Sequence, residues 1–345
     1  MPIEHETRDG ALVWIRNPIT GVISYVVDLR NKSFAFTLGM REEPAEPPHL
    51  TDEQIRAATK DCPFCPGNEH LSTAEKFRFT PSDVPEWTGG ANRDGDQWVV
   101  RVFNNLFPRI PMELTGGRNE SYVVVEDPRH YVDSPRSHSD LLSTSMLGEA
   151  HFRRLLEADV RVMRIARENH SVRSVVIRKN QGRESGASQP HPHQQIIGSP
   201  EPFPAVAAEA RAERTTPGLF EEMVTLMDRL GLVIENDGGV VSYASPIGAF
   251  PRSYDVIMPE HRDATLADLS ADEMTRFSGA LYRILRIMGP LPLDYEIHQG
   301  EGLPLHAHVN ARFYLYSNVA GTLNLPSTLL ERTAEIRNAI ARARK

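Results

Sequence analysis

With 345 residues, 40% of them hydrophobic and 24% charged, the chain has the composition of a soluble globular protein and enough length for one large core or two modest ones. A formal net charge of −8 argues against broad nucleic-acid binding, which needs a basic face, but leaves room for small anionic ligands held by a few local donors. No apolar run approaches the ~20 residues that span a bilayer, and the polar N-terminus Met-Pro-Ile-Glu-His-Glu does not read as a secretory signal, so no membrane contact and a cytoplasmic location are expected.

In chain order, the first informative motif is Cys62-Pro-Phe-Cys65, which contains both cysteines of the chain. A single pair in a large chain of this kind does not suggest a disulfide framework. A redox motif would open a helix after a strand, whereas this one runs into the turn residues Pro66-Gly67-Asn68. Half of a zinc site is the third reading, and it requires two further ligands elsewhere.

A weak internal repeat follows. An apolar strand at Ser121–Val125 leads to Pro128-Arg129-His130, and a second at Ser253–Ile257 leads to Pro259-Glu260-His261. Phe-Pro-Arg precedes each, at Phe107 and Phe250. Each strand is followed by a helix, marked by Phe152, Leu155, Leu156, Val160 and Met163 in one copy and by Phe277, Leu281, Ile284 and Met288 in the other. Next come a β-rich stretch (174–177, 293–297), a Gln-Gly pair (Gln181-Gly182, Gln299-Gly300) and a His-x-His strand (His191/His193, His306/His308). The order predicts an α+β protein of two tandem halves, each a mainly antiparallel sheet with helices packed on it. The halves are expected at 1–198 and 199–345, joined where Pro and Ala crowd between 198 and 217.

Residues two apart on a strand share a face, so His191, His193 and Gln195 project together, as do His306, His308 and Asn310. Alone, such a pair fits a surface or satisfied core position as well as a site. The first pair, however, follows Asn180–Ser188, a loop of small residues able to present N–H groups and a hydroxyl to a phosphate. Gly and Ser also cluster in ordinary connections. No comparable loop precedes His306, so the second copy is expected to serve another purpose.

Taken with Asn180…Ser188-Gln-Pro-His191-Pro-His193-Gln-Gln195, the segment Cys62–Asn68 resembles the galactose-1-phosphate uridylyltransferases of the histidine-triad superfamily. Arg16–Gly21 followed by Arg30 looks like the family's opening segment, and Val102–Pro108 like its nucleoside-binding strand. Related sugar-nucleotide phosphorylases share the architecture. The resemblance implies a nucleotidyltransferase in which His193 attacks the α-phosphorus of a nucleoside-diphosphate sugar to give a nucleotidyl-histidine. Gln195 would donate to the transferring phosphoryl, and Ser188 would bind the departing phosphate. Arg30, Asn105, Phe107, Asn180 and Gly186 would contact substrate. The first reading passes the nucleotidyl group to a sugar 1-phosphate, the alternative to inorganic phosphate. A catalytically silent zinc-stabilised binding protein and a hydrolase rank below both.

The resemblance further implies Zn(2+) on Cys62, Cys65, His191 and His130, with His138 as fallback for the last. It also implies a second metal, iron or zinc, on Glu209, His298, His306 and His308, with Glu201 as the alternative carboxylate. A homodimer is the family's habit. Three departures bear on substrate. Ser33 stands where a second phosphate-binding arginine is expected, Leu106 replaces an acidic residue expected in a uridylyltransferase, and Asn318–Asn324 carries neither the transferase's lysine and glutamate nor the phosphorylase's glutamate.

Overall fold

A computed structural model describes residues 3–28, 48–89, 98–312 and 320–343. The strands are β1 (His5–Arg8), β2 (Ala11–Arg16), β3 (Ile23–Val27), β4 (Glu75–Phe79), β5 (Val100–Asn104), β6 (Glu120–Val125), β7 (Ser174–Gln181), β8 (His193–Ser199), β9 (Val233–Asp237), β10 (Val240–Ala244), β11 (Ser253–Arg262), β12 (Leu293–His298), β13 (Pro304–Ala311) and β14 (Thr322–Pro326). The helices are α1 (Asp52–Thr59), α2 (Met112–Thr115), α3 (Glu149–Glu168), α4 (Pro204–Thr215), α5 (Leu219–Arg229), α6 (Ala271–Met288) and α7 (Leu329–Ala343). The protein is α+β, as the sequence pattern implies, and none of the described helices is long and apolar enough to cross a membrane.

Two compact units form. One comprises Arg41–Glu201 with Met288–Pro292, and its sheet runs β4-β5-β6-β8-β7, antiparallel throughout. Helix α3 packs on β5, β6 and β8 with Phe152, Leu155, Leu156, Val160 and Met163 all buried, the stripe its periodicity announces. Each such side chain stabilises the fold by roughly 1.5–3 kcal/mol through removal from water.

The other unit comprises Met1–Met40, Pro202–Ile287 and Leu293–Lys345. Its larger sheet runs β12-β13-β11-β10-β9, again antiparallel, with α5 against β9, β10 and β11 and α7 against β9 and β10. Helix α6 buries Phe277, Leu281, Ile284 and Met288. A smaller sheet, β1-β2-β3-β14, ends in a parallel pairing of β3 with β14.

These units depart from the 1–198 and 199–345 division at the N-terminus. Strands β1–β3 belong with the C-terminal repeat, because β14 supplies the ladder for β3 and Asn17 Nδ2 donates to the Ile247 carbonyl at 2.7 Å. Periodicity cannot reveal such a link, since the partner strand lies some 300 residues along the chain.

Candidate active site and metal centres

The Cys62–Asn68 segment is a tight knuckle. Cys62 N donates to Thr59 O, Cys65 N to Cys62 O and Asn68 N to Cys65 O, while Gly67 takes a φ of +86° that other residues resist. The Asn68 amide donates to the carbonyls of Thr59, Lys60 and Cys62 and locks the turn. Both thiols are buried and free of any disulfide. Cys65 Sγ lies 3.4 Å from His130 Nδ1 and 3.5 Å from His191 Nδ1, and Cys62 Sγ lies 3.8 Å from His191 Nδ1.

A tetrahedral zinc with ~2.3 Å Zn–S and ~2.0 Å Zn–N bonds separates S from N by about 3.5 Å, so this spacing fits the ion. Without a cation the two thiols compete: the hydrogen bond between them pulls the Cys62 thiol down and pushes the Cys65 thiol up, with burial adding to the rise. A cation removes that conflict by favouring both thiolates. His191 is oriented from behind, its Nε2 donating to Asp127 O at 2.7 Å. His138 lies outside the cluster, with its Nδ1 3.4 Å from the Tyr131 hydroxyl.

His193 opens β8, opposite Val125 of β6. Its Nδ1 donates to the His191 carbonyl at 2.8 Å, which leaves the ring's lone pair on Nε2. Burial and the nearby Lys179 ammonium push its pKa down to about 4, so the ring is neutral at physiological pH. The edge of Phe64 closes one side at a centroid distance of 5.0 Å. Two residues on, Gln195 accepts from Asn105 Nδ2 at 3.3 Å, and Asn105 Oδ1 accepts from Phe107 N at 3.0 Å. The expected nucleoside contacts are thereby joined to the expected phosphoryl contact. Phe107 is 85% exposed, a ring available for stacking on a base.

In the loop, Asn180 accepts from Arg178 Nε and donates to Ser185 O, next to the left-handed Gly186. Ser188 is exposed. Gly182 is also left-handed, and a Cβ there would meet Pro292 at 3.1 Å, so the turn into the loop needs glycine. Arg30, Ser33 and residues 318–319 lie outside the described residues.

The second cluster assembles in the other unit. Glu209 of α4 meets His298 Nδ1 at 2.7 Å through Oε2, His306 Nε2 at 3.4 Å through Oε2 and His308 Nε2 at 3.2 Å through Oε1. One carboxylate and three imidazoles within 4.8 Å of one another suit zinc or iron. Glu201 is not among them. Burial pushes the Glu209 carboxyl up, but the charges and hydrogen bonds of His298 and His306 prevail and hold it well below its ordinary range. All four side chains line a cavity of about 410 Å³. Asp255, which the sequence pattern does not single out, accepts from His308 Nδ1 at 2.6 Å and so fixes the ring that presents Nε2.

The ladders correct the repeat in one respect. In the first unit Val125 opposes His193, Val123 opposes Gln195 and Arg178 opposes Gln195. In the second Ile257 opposes His306, Asp255 opposes His308 and Glu296 opposes His308. His306 therefore occupies the position of His193, His308 that of Gln195, and Pro304 that of His191. Even the cap is preserved, since His306 Nδ1 donates to Pro304 O at 2.7 Å. The two His-x-His pairs are offset by one face position, and the second cluster stands on the second repeat's copy of the His193 position. Among the described residues of the second unit the Cys-His cluster has no counterpart, and the place of His191 is taken by proline.

A family described as a domain of unknown function, DUF4921, matches residues 112–257. An ADP-glucose phosphorylase from Arabidopsis thaliana is 24% identical over 78% of this chain and 75% of its own length. The crystal structure of an ADP-glucose phosphorylase from Arabidopsis thaliana with bound ADP-glucose superposes with a TM-score of 0.64 at 20% identity, covering 94% of this chain and 97% of the other. A uridylyltransferase structure gives 0.60 at 20% identity, covering 96% and 99%. The chain's neighbours are thus uridylyltransferase-like proteins and an ADP-glucose phosphorylase, and it shares their fold, the one its His-Pro-His and Cys-Pro-Phe-Cys segments resemble.

Proposed function

We propose that this chain is a nucleotidyltransferase that acts on a nucleoside-diphosphate sugar and passes the nucleotidyl group to inorganic phosphate, as a sugar-nucleotide phosphorylase. The observation that carries the nucleotidyl-transfer step is the state of His193: neutral, capped at Nδ1 by its neighbour's carbonyl, and with Nε2 left to attack. In the first half-reaction a bond forms between Nε2 and the α-phosphorus as the bond to the sugar 1-phosphate breaks. In the second, a phosphate oxygen attacks the same phosphorus, the P–N bond breaks, and a nucleoside diphosphate leaves. Gln195, oriented by Asn105, would donate to the phosphoryl oxygens in both steps.

Phosphate is preferred as acceptor on two grounds. The curated relative is an ADP-glucose phosphorylase, and Leu106 stands between Asn105 and Phe107 where a uridylyltransferase is expected to carry an acid. ADP-glucose is accordingly the first substrate to try. A uridylyltransferase using a sugar 1-phosphate is the second reading, favoured by the fold shared with a uridylyltransferase.

In the first unit, Cys62, Cys65, His130 and His191 would hold zinc. With four protein ligands such an ion would brace the segment leading to His193 and leave no position open for substrate. Glu209, His298, His306 and His308 would hold the second metal. The acceptor is tested by loading the enzyme with labelled ADP-glucose or UDP-glucose and discharging it. Release of label as nucleoside diphosphate by phosphate alone supports the phosphorylase; discharge only by a sugar 1-phosphate overturns it in favour of the transferase.

A further inference from the structure

Beneath the His193 strand lies an ion pair that the mechanism above does not use. Lys179 and Glu126 have side chains only 2% and 0% exposed, with Nζ 2.6 Å from Glu126 Oε1. The same ammonium donates to the His193 carbonyl at 3.1 Å. Glu126 is held in turn, accepting from Thr144 Oγ1 at 2.6 Å through Oε2 and from His151 Nε2 at 2.8 Å through its carbonyl. Its own N–H donates to Pro192 O at 3.1 Å.

Burying two charges is costly, and an apolar pair of similar size commonly serves a fold as well or better. The second repeat makes that comparison inside one chain. The register that equates His193 with His306 equates Lys179 with Ile297 and Glu126 with Met258, and both of those side chains are fully buried. The same sheet positions are therefore built without charge where no nucleophile is carried.

What the charged pair supplies is visible in the ladders. In the second repeat, pairing continues through Ile297↔Ala307 and His298↔His306, so the backbone of His306 is held by the neighbouring strand. In the first, His193 is paired with Val125 of β6 on one side, whereas the β7–β8 ladder on the other side ends at Arg178↔Gln195, short of His193, although β7 itself runs on to Gln181. The Lys179 ammonium reaches the His193 carbonyl just past that end.

We infer that Lys179, neutralised by Glu126, is a positioning residue for the nucleophile: on the β7 side, where the ladder has ended, its ammonium holds the His193 carbonyl and completes the grip that β6 keeps from the other side, while the His191 carbonyl fixes the ring. The inference rests on the nucleotidyl-transfer reading of His193. Its test is to graft the second repeat's pair into the first, as Lys179→Ile with Glu126→Met, in the metal-loaded full chain. The double variant is expected to fold with a melting temperature at or above that of the wild type and to bind nucleotide sugar with a dissociation constant within about twofold of it. Its rate of labelling at His193 is expected to fall by about tenfold to a hundredfold, the scale on which small misplacements of a reacting group act.

A lone Lys179→Arg, which retains a cation and a donor, should recover part of that rate. The imidazole ¹⁵N shifts of His193 supply a readout independent of turnover, and should show a loosened or mixed tautomer in the double variant. A double variant labelled as fast as wild type, with unchanged shifts, overturns the inference alone. A double variant that does not fold also overturns it, since the pair would then belong to the fold. A wild type that takes no label from any nucleotide sugar sinks the nucleotidyl-transfer reading and the inference with it.

Discussion

The imidazole of His193 donates through Nδ1 to the carbonyl of His191, the residue whose own ring points to Cys62 and Cys65. One three-residue segment thereby carries both the candidate metal ligand and the candidate nucleophile. A metal held by His191 would act on His193 through the hydrogen bond from the His193 ring to the His191 carbonyl, so its loss should disturb His193, whereas loss of the His193 ring should leave the metal in place.

The second half of that statement is tested by His193→Ala. Turnover is expected to vanish while stability changes by less than about 2 kcal/mol, because the removed ring donates its one hydrogen bond to a carbonyl and ligates nothing. Metal content should match the wild type. Steady-state assays alongside thermal unfolding and elemental analysis check all three points.

Cys62→Ser should behave in the opposite way. It removes one side chain from a buried cluster whose metal, once bound, would contribute directly to folding, so the unit holding β4–β8 should unfold or melt far earlier. Chelation of the wild-type protein should give the same result. Circular dichroism melts with and without a strong chelator decide it, and a chelator-insensitive melt would argue against a structural metal.

Glu209→Ala should empty the second centre and leave the first loaded, since the two ligand sets share no residue. Labelling at His193 is expected to persist in this variant. Metal analysis set beside the label stoichiometry provides the check, and simultaneous loss of both metals would contradict the separation of the centres.

Asp159 offers a prediction with a definite pH sign. It is wholly buried behind the His193 strand and bound to the Gln194 amide, and desolvation pushes its pKa well above the ordinary carboxyl value. The folded state thus binds a proton that the unfolded chain releases above about pH 4, and stability falls as pH rises beyond that value. Asp159→Asn keeps an acceptor for Gln194 without the proton cost. It should raise stability by about 1 kcal/mol or more at pH 7 and flatten the pH dependence, with little change at pH 4. Denaturant melts at the two pH values measure the effect.

Much of this site was legible in the sequence because its chemistry is local. Cys62 and Cys65 announce a knuckle, and His191, His193 and Gln195 share a strand face by simple alternation. His130 and Glu209 were reached through family resemblance, and the structure brings both into the expected clusters. What stayed hidden depends on register between strands distant in the chain. The offset of the His-x-His pairs appears only when β11 and β12 are laid against β13. Asp255 and the Lys179–Glu126 pair were hidden for the same reason. A lysine inside the apolar strand Ser174–Gln181 was the one available hint of that pair, since such a side chain is seldom fully buried without a partner. The placement of β1–β3 was hidden because β14, the partner of β3, lies some 300 residues along the chain.

Intact-protein mass spectrometry detects a covalent nucleotidyl intermediate on His193 without reliance on turnover. Metal-loaded enzyme mixed with ADP-glucose in the absence of phosphate should gain the mass of one nucleoside monophosphate. Peptide mapping should place that mass on His193, and inorganic phosphate should remove it as nucleoside diphosphate. A fully metal-loaded protein that gains no adduct from ADP-glucose, UDP-glucose or any other nucleotide sugar, or that gains it equally with His193→Ala, would rule out nucleotidyl transfer through His193.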